Sequence, residues 1–314
     1  MSSYKPIFPF TGAKVSTIYP FLFRPKGKDL YSRKRITMPD EDFLDLDLVQ
    51  NNHKELVILC HGLEGDTGSK YLRRLAGHLV ENKFDIVAIN FRSCSGEMNL
   101  AKRLYHSGET GDVNHIISLY EDDYDTIHLV GFSLGGNVVL KLAGENPHGI
   151  SKKIKSVQGI SVPVDLASAA AEIVKPHNHI FEKRFIADLS HKAMLKNQQY
   201  PGLFDMEKVA AVKNLMELDD LCTAPLHGFI DGQDYYAKSS AKQFIKDLEI
   251  PAQLINAQND SFLGEQCYPY EDARENPLFT LLDPKHGGHV GFVRPGRKWY
   301  WHELKIIDFL QSHR

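Results

Sequence analysis

Short apolar runs alternate with longer stretches whose apolar residues recur every three or four positions, and this pattern predicts a parallel sheet joined by crossover helices. "ELVILCHG" (55–62), "FDIVAINFR" (84–92), "TIHLVGFS" (126–133) and "IKSVQGISVP" (154–163) read as buried strands. "QLINAQND" (253–260) and "LFTLLDP" (278–284) continue the series. Between them, "SKYLRRLAGHLVEN" (69–82) spaces Leu72, Leu75, Ala76 and Leu79 at helical intervals, and "WYWHELKIIDFLQ" (299–311) does the same. The expected fold class is α/β, a mostly parallel central sheet flanked by helices.

One section departs from this rhythm. From about 165 to 240 the chain offers some three helical segments and no strand, so it is expected to be a helical lid inserted into a single domain spanning 1–314. At the other end, Pro6, Pro9, Pro20 and Pro25 predict that no helix forms in the first 28 residues.

Composition narrows the function classes. A chain of 314 residues that is 42% hydrophobic can bury a large core, and a formal charge of −3 gives no global positive field to gather nucleic acid or anionic lipid. No run approaches the ~18 apolar residues of a spanning helix, and no secretion signal is read. Cys60, Cys94, Cys222 and Cys267 form no CxxC pair, which suits a reducing compartment and predicts a cytoplasmic protein.

The chemistry centres on "HLVGFSLGG" (128–136), where Ser133 stands between a strand and a helix with no intervening loop. So sharp a turn forces its central residue to positive φ, and Gly131 and Gly135 remove the side chains that would collide across it. The helix start directs free amides at any oxyanion formed beside the serine.

A serine hydroxyl is a weak nucleophile at neutral pH and needs a base, which in turn needs an acid to orient it. At strand–turn–helix sites the chain order is Ser, Asp or Glu, then His. "KHGGHVGF" (285–292) supplies His289 as base, with His286 as competitor in the same loop. "AQND" places Asp260 at the end of a strand; Asp165 is the alternative acid, and Asp283 fits less well. Amides of Leu134 and of Leu63 in "CHGLEGDTGS" (60–69) are the expected oxyanion donors, and His61 is read as a residue that holds that loop.

With the HGLEG loop, the GFSLGGN turn, the QNDSF loop and the HGGHVGF loop in view, the chain resembles the α/β-hydrolases. More narrowly it resembles the YheT-like branch, which includes plant embryogenesis-associated and animal abhydrolase-domain lipase-like proteins. "NFRSCSGEMN" (90–99) and "RLYHSGETGDV" (103–113) share the likeness. The resemblance implies an α/β-hydrolase fold and a triad of Ser133, Asp260 and His289. It also implies hydrolysis of small-molecule carboxylic esters with short- to medium-chain acyl or lipid-like groups, without a metal or organic cofactor. Where the family usually has His-Leu-Gln, this chain has Lys14-Val15-Ser16, and a frequent tryptophan is Leu48; both differences bear on substrate preference.

Three remaining features have blander readings. "HNH" (177–179) lacks a further ligand at fixed spacing and reads as a polar lid loop, and Cys94 lacks the turn of a nucleophile. His106 is expected in a buried polar network with Arg92 and Glu97. Two rival functions stay open at this level: an acyltransferase that passes the acyl group to an alcohol, and a non-catalytic binding protein on a hydrolase scaffold.

Overall fold

The computed structural model describes residues 4–314. Eight strands form one sheet in the order β1-β2-β4-β3-β5-β6-β7-β8. They are β1 (Ser32–Thr37), β2 (Phe43–Val49), β3 (Glu55–Cys60), β4 (Asp85–Asn90), β5 (Thr126–Phe132), β6 (Ile154–Ile160), β7 (Ala252–Ile255) and β8 (Phe279–Leu282). Strands β3 to β8 run parallel. Their apolar runs have the length and burial that a sheet covered on both faces requires. Leu56, Ile58 and Cys60 of β3 enter one apolar layer, and Val57 and Leu59 enter the other.

Helix α1 spans Ala13–Phe23, α2 Lys70–Glu81, α3 Gly111–Tyr120 and α4 Leu134–Glu145. Leu72, Leu75 and Leu79 of α2 share a layer with the closing helix Trp301–Gln311. Val113 and Ile116 of α3 lie opposite, with Val138 and Leu142 of α4. All parallel strands end at one edge, so the loops after β3, β5, β7 and β8 gather there.

The two antiparallel strands at the sheet margin do not follow from the apolar runs. In β2, "FLDLDLV", Leu44, Leu46 and Leu48 enter the core while Asp45 and Asp47 face the other way. Register pairs Arg35 with Asp45 and Arg33 with Asp47, each through two hydrogen bonds of 2.7–2.8 Å. The alternation that looks acidic in sequence is thus a buried strand whose carboxylates are partnered by the basic β1, "SRKRIT".

Helix α1 corrects the expectation drawn from the prolines, since Pro20 lies inside it. Proline removes the N–H that would pair with the Ser16 carbonyl. That carbonyl instead lies so close to Gly291 that any Cβ there would collide with it. Tertiary contacts offset the lost bond: Ser16 is buried and donates to the Phe10 carbonyl, and Tyr19 packs edge-on against Phe10.

Between β6 and β7 the described chain holds helices and loops but no strand, opening with α5 (Leu166–Ile173) and the long α6 (His179–Gln199) and closing with the helix Gly232–Ser239 and a 3-10 helix, Ala241–Asp247. Buried Asn137 of α4 secures its far end, donating to the Ser107 and Ser239 carbonyls and accepting from the Ala241 amide, at 2.8–2.9 Å.

Candidate active site

Ser133 joins β5 directly to α4 with φ +50° and ψ −121°, a conformation that L-residues seldom adopt. A Cβ on Gly131 would collide with the Gly135 carbonyl, and one on Gly135 with the His61 carbonyl, so both positions must be glycine for the turn to close. The Ser133 amide is occupied by the Ile160 carbonyl at 2.9 Å, which ties the turn to β6.

Two long-range contacts complete a row. Ser133 Oγ lies 3.1 Å from His289 Nε2, and His289 Nδ1 lies 2.8 Å from Asp260 Oδ2. Because Asp260 can only accept when ionised, the tautomer that fits has Nδ1–H donating to the carboxylate and Nε2 accepting from the serine. The other carboxylate oxygen accepts from the Phe262 amide at 3.0 Å, and Asp260 is buried. The imidazole is held from both ends.

The alternatives lie elsewhere. His286 Nδ1 donates to the Thr11 carbonyl at 2.9 Å, away from the serine. Asp165 caps α5 by accepting from the Ser168 amide, and Asp283 accepts at the surface from Gln258 and Tyr270.

The loop after β3 folds over the serine turn: a Cβ on Gly62 would stand 3.1 Å from the Ser133 Cβ. Its amides are almost all spoken for, Gly62 by the Tyr71 hydroxyl, Glu64 by the Tyr105 hydroxyl and Gly65 by the Gly62 carbonyl. The Leu63 amide has no acceptor among the described residues, and neither does that of Leu134 at the first position of α4. His61 braces the loop from below, with Nδ1 2.7 Å from the Gly62 carbonyl and Nε2 3.1 Å from the Phe91 amide. Those partners require Nδ1–H donating and Nε2 accepting, and burial pushes the His61 pKa down to about 4, which keeps the ring neutral.

Ser133, Leu63, Leu134 and His289 open onto a cavity of about 130 Å³. Its walls are mainly apolar, from Leu166, Ala170 and Ile173 of α5 and Phe185 and Leu189 of α6. A buried carboxyl, Asp219, interrupts them; it is hydrogen-bonded to Thr223 and Tyr236, and burial raises its pKa to about 6.

Residues 55–294 match the family model described as alpha/beta hydrolase fold. YheT of Escherichia coli (strain K12), whose esterase designation is provisional, is 30% identical over 99% of this chain and 94% of its own length. The chain belongs to the α/β-hydrolase superfamily, in its YheT-like branch.

A monoacylglycerol lipase of Saccharomyces cerevisiae is 27% identical over 83% of the chain, which spans 60% of that protein. The embryogenesis-associated protein EMB8 of Picea glauca is 25% identical over 97% of the chain and 71% of its own length. Among solved structures, an esterase of Pyrococcus furiosus superposes with a TM-score of 0.60 at 16% identity, covering 90% of this chain and 92% of that one. At that identity the likeness is one of fold.

Several residues of this α/β-hydrolase site carry no sequence signal. Thr17 Oγ1 of α1 accepts from the His289 amide at 2.9 Å, and Ser161 Oγ accepts from the Val290 amide at 2.9 Å. The Phe262 ring packs on the His289 ring with centroids 4.4 Å apart. Lys192 of α6 lies 2.9 Å from Glu64, next to Leu63, and 3.1 Å from the Cys94 sulfur. Such contacts join residues up to 272 positions apart, and no local periodicity marks them.

Two expectations about polar residues change. His106 does not join Arg92 and Glu97. Arg92 is buried among Asp42, Asp40 and Asp112, and Glu97 pairs with Arg35 at the surface. His106 packs instead against His227, Phe229 and Tyr235. In "HNH", both histidines are exposed, while buried Asn178 turns inward and bonds Ser261 beside the acid loop.

Proposed function

We propose that the protein is a serine carboxylic-ester hydrolase working through an acyl-enzyme. The observation that carries this reading is the hydrogen-bonded row Ser133–His289–Asp260 beside two unoccupied amides at the mouth of an apolar cavity. Ser133 Oγ attacks the ester carbonyl carbon as its proton passes to His289 Nε2, and Asp260 stabilises the imidazolium through Nδ1–H. The Leu63 and Leu134 amides take the developing oxyanion. Collapse expels the alcohol, which takes the proton from His289. Water then adds to the acyl carbon by the same route and frees the acid and the serine.

The helical segment between β6 and β7 acts as a lid on this reading, since α5 and α6 supply most of the apolar wall. A cavity of this character suits short- to medium-chain acyl groups or lipid-like esters. The names of relatives in the branch, among them a monoacylglycerol lipase, support that class of substrate.

The test is a panel of p-nitrophenyl esters from acetate to octanoate, with a fluorophosphonate probe. Wild-type protein should hydrolyse part of the panel and be labelled at Ser133, and Ser133→Ala should lose both. Folded protein that neither turns over any ester nor takes the probe would end the reading.

A further inference from the structure

The charges of this chain are not spread evenly. Its first 28 residues hold five basic side chains, Lys5, Lys14, Arg24, Lys26 and Lys28, and no acidic one, although the whole chain carries −3. Arg24 is buried against Glu303, whereas the four lysines are exposed. The same stretch carries the largest exposed apolar side chains of the fold. Phe8 is 87% and Phe23 68% exposed, and Ile7, Phe21 and Leu22 also stand clear of the core. A water-facing surface seldom collects three phenylalanines without a use for them.

The patch continues onto the helical segment that roofs the cavity. The guanidinium of Arg184 in α6 lies 5.1 Å from the Phe21 ring centre, so the two helices adjoin. At the start of α6, Ile180 is 81% exposed beside exposed Lys183; Lys175 and Arg184 are also exposed but pair with Glu172 and Asp188, and Glu182 is buried. Both helices also reach the candidate catalytic histidine, α1 directly and α6 through one intervening ring. Helix α1 does so through Thr17 and the His289 amide, and α6 through Phe181, whose ring lies 4.9 Å from Phe262, which packs on His289.

Exposed aromatic and aliphatic side chains interleaved with exposed lysines along one segment are the chemistry of a surface that seats in the interfacial zone of an anionic bilayer. The rings enter at headgroup depth and the ammonium groups meet lipid phosphates. We propose that α1, its lead-in and the start of α6 form a docking face for an anionic lipid surface, which holds the cavity mouth against the membrane. No helix among the described residues is long and apolar enough to cross a membrane, so the contact is peripheral. The partner is assigned by charge: this face paired symmetrically with itself in a second copy would bring lysines against lysines, whereas an anionic lipid complements them. Docking needs no catalysis, so it stands or falls independently of the ester chemistry.

The test is sedimentation of the full chain with vesicles of phosphatidylcholine alone and with about one third phosphatidylglycerol, a content that gives a strongly negative surface. Wild type and Ser133→Ala should pellet alike with the anionic vesicles, at least tenfold more than with the neutral ones, and 0.5 M salt should release most of the protein. The triple variant Phe8→Ser/Phe21→Ser/Phe23→Ser and the variant Lys14→Glu/Lys26→Glu should each lose at least tenfold in partitioning. All these side chains are exposed, and hydrolysis of a water-soluble ester by both variants, or an unchanged unfolding midpoint, verifies that they fold. Wild-type protein that stays in the supernatant with both vesicles overturns the proposal, as do folded variants that pellet like wild type. A concentration-dependent dimer abolished by the same substitutions, without vesicle binding, would assign the face to a second copy and also overturn it.

Discussion

The backbone amide of His289 donates to the side-chain oxygen of Thr17 at 2.9 Å, across 272 positions of sequence. The Thr17 hydroxyl in turn donates to the Ala13 carbonyl one turn back. A helix that the prolines argue against therefore holds the backbone of the residue whose imidazole faces Ser133. Thr17→Val keeps the shape and removes the acceptor, leaving a part-buried N–H unpaired at a cost of about 1–3 kcal/mol. Turnover of a soluble ester should fall about two- to tenfold if half of that cost appears as misplacement of the ring. Thr17→Ser should restore it. Full activity in Thr17→Val would show that the helix is not a positioning element.

Asp260→Asn tests the far end of the row. The amide fills the same space, and its NH2 group can turn the imidazole to the wrong tautomer. The turnover number should drop by on the order of 10³–10⁴, with the unfolding midpoint nearly unchanged. A loss smaller than tenfold would move the orienting role to another group.

Lys192 and Glu64 form an ion pair at 2.9 Å, with side chains 12% and 7% exposed, and Glu64 adjoins Leu63. Lys192→Met leaves a nearly buried carboxylate without its cation, which costs roughly 3–5 kcal/mol when a buried pair is broken. The loop can escape by moving Glu64 outward and the Leu63 amide with it. Turnover number should then fall toward the 10²-fold that loss of one oxyanion donor costs, with KM changed less. Steady-state kinetics of Lys192→Met beside Lys192→Met/Glu64→Gln separates the two effects, because the double variant removes the stranded charge and should recover part of the rate.

Acid should weaken the fold before it reaches most carboxylates. Burial lowers His61, His128 and His227 to about 4. In the unfolded chain these rings take up protons below about pH 6.5, while the folded chain resists until about pH 4. Their stabilising contribution is complete above pH 6.5 and is lost as pH falls toward 4, by about 1 kcal/mol for each ring at pH 5.5. Asp219, raised to about 6, works in the opposite direction and offsets about one ring. Urea unfolding should show a lower midpoint at pH 5.5 than at pH 7.5, and an equal or higher one would mean that the rings are hydrated in solution.

The central parallel strands β3 and β4 were legible because each buries both faces and reads as a nearly unbroken apolar run, "ELVILC" and "DIVAIN". The serine turn was legible because three glycines fall within six residues around Ser133, although only Gly131 has a local steric cause; Gly135 and Gly136 make room for the His61 carbonyl and the Val162 side chain. Strands β1 and β2 were not, since a charged edge strand becomes a strand only through the register that sets Arg33 against Asp47.

Sequence alone determined which segments span the core and where a serine could stand at a strained strand end, because both depend on neighbours a few positions away. Tertiary structure decided which imidazole meets that serine and which carboxylate meets that imidazole, that a helix containing Pro20 survives, and that the phenylalanines of that helix and its lead-in stay exposed. Each of those outcomes depends on distances between residues far apart along the chain, and only the closed sheet brings such residues within contact range.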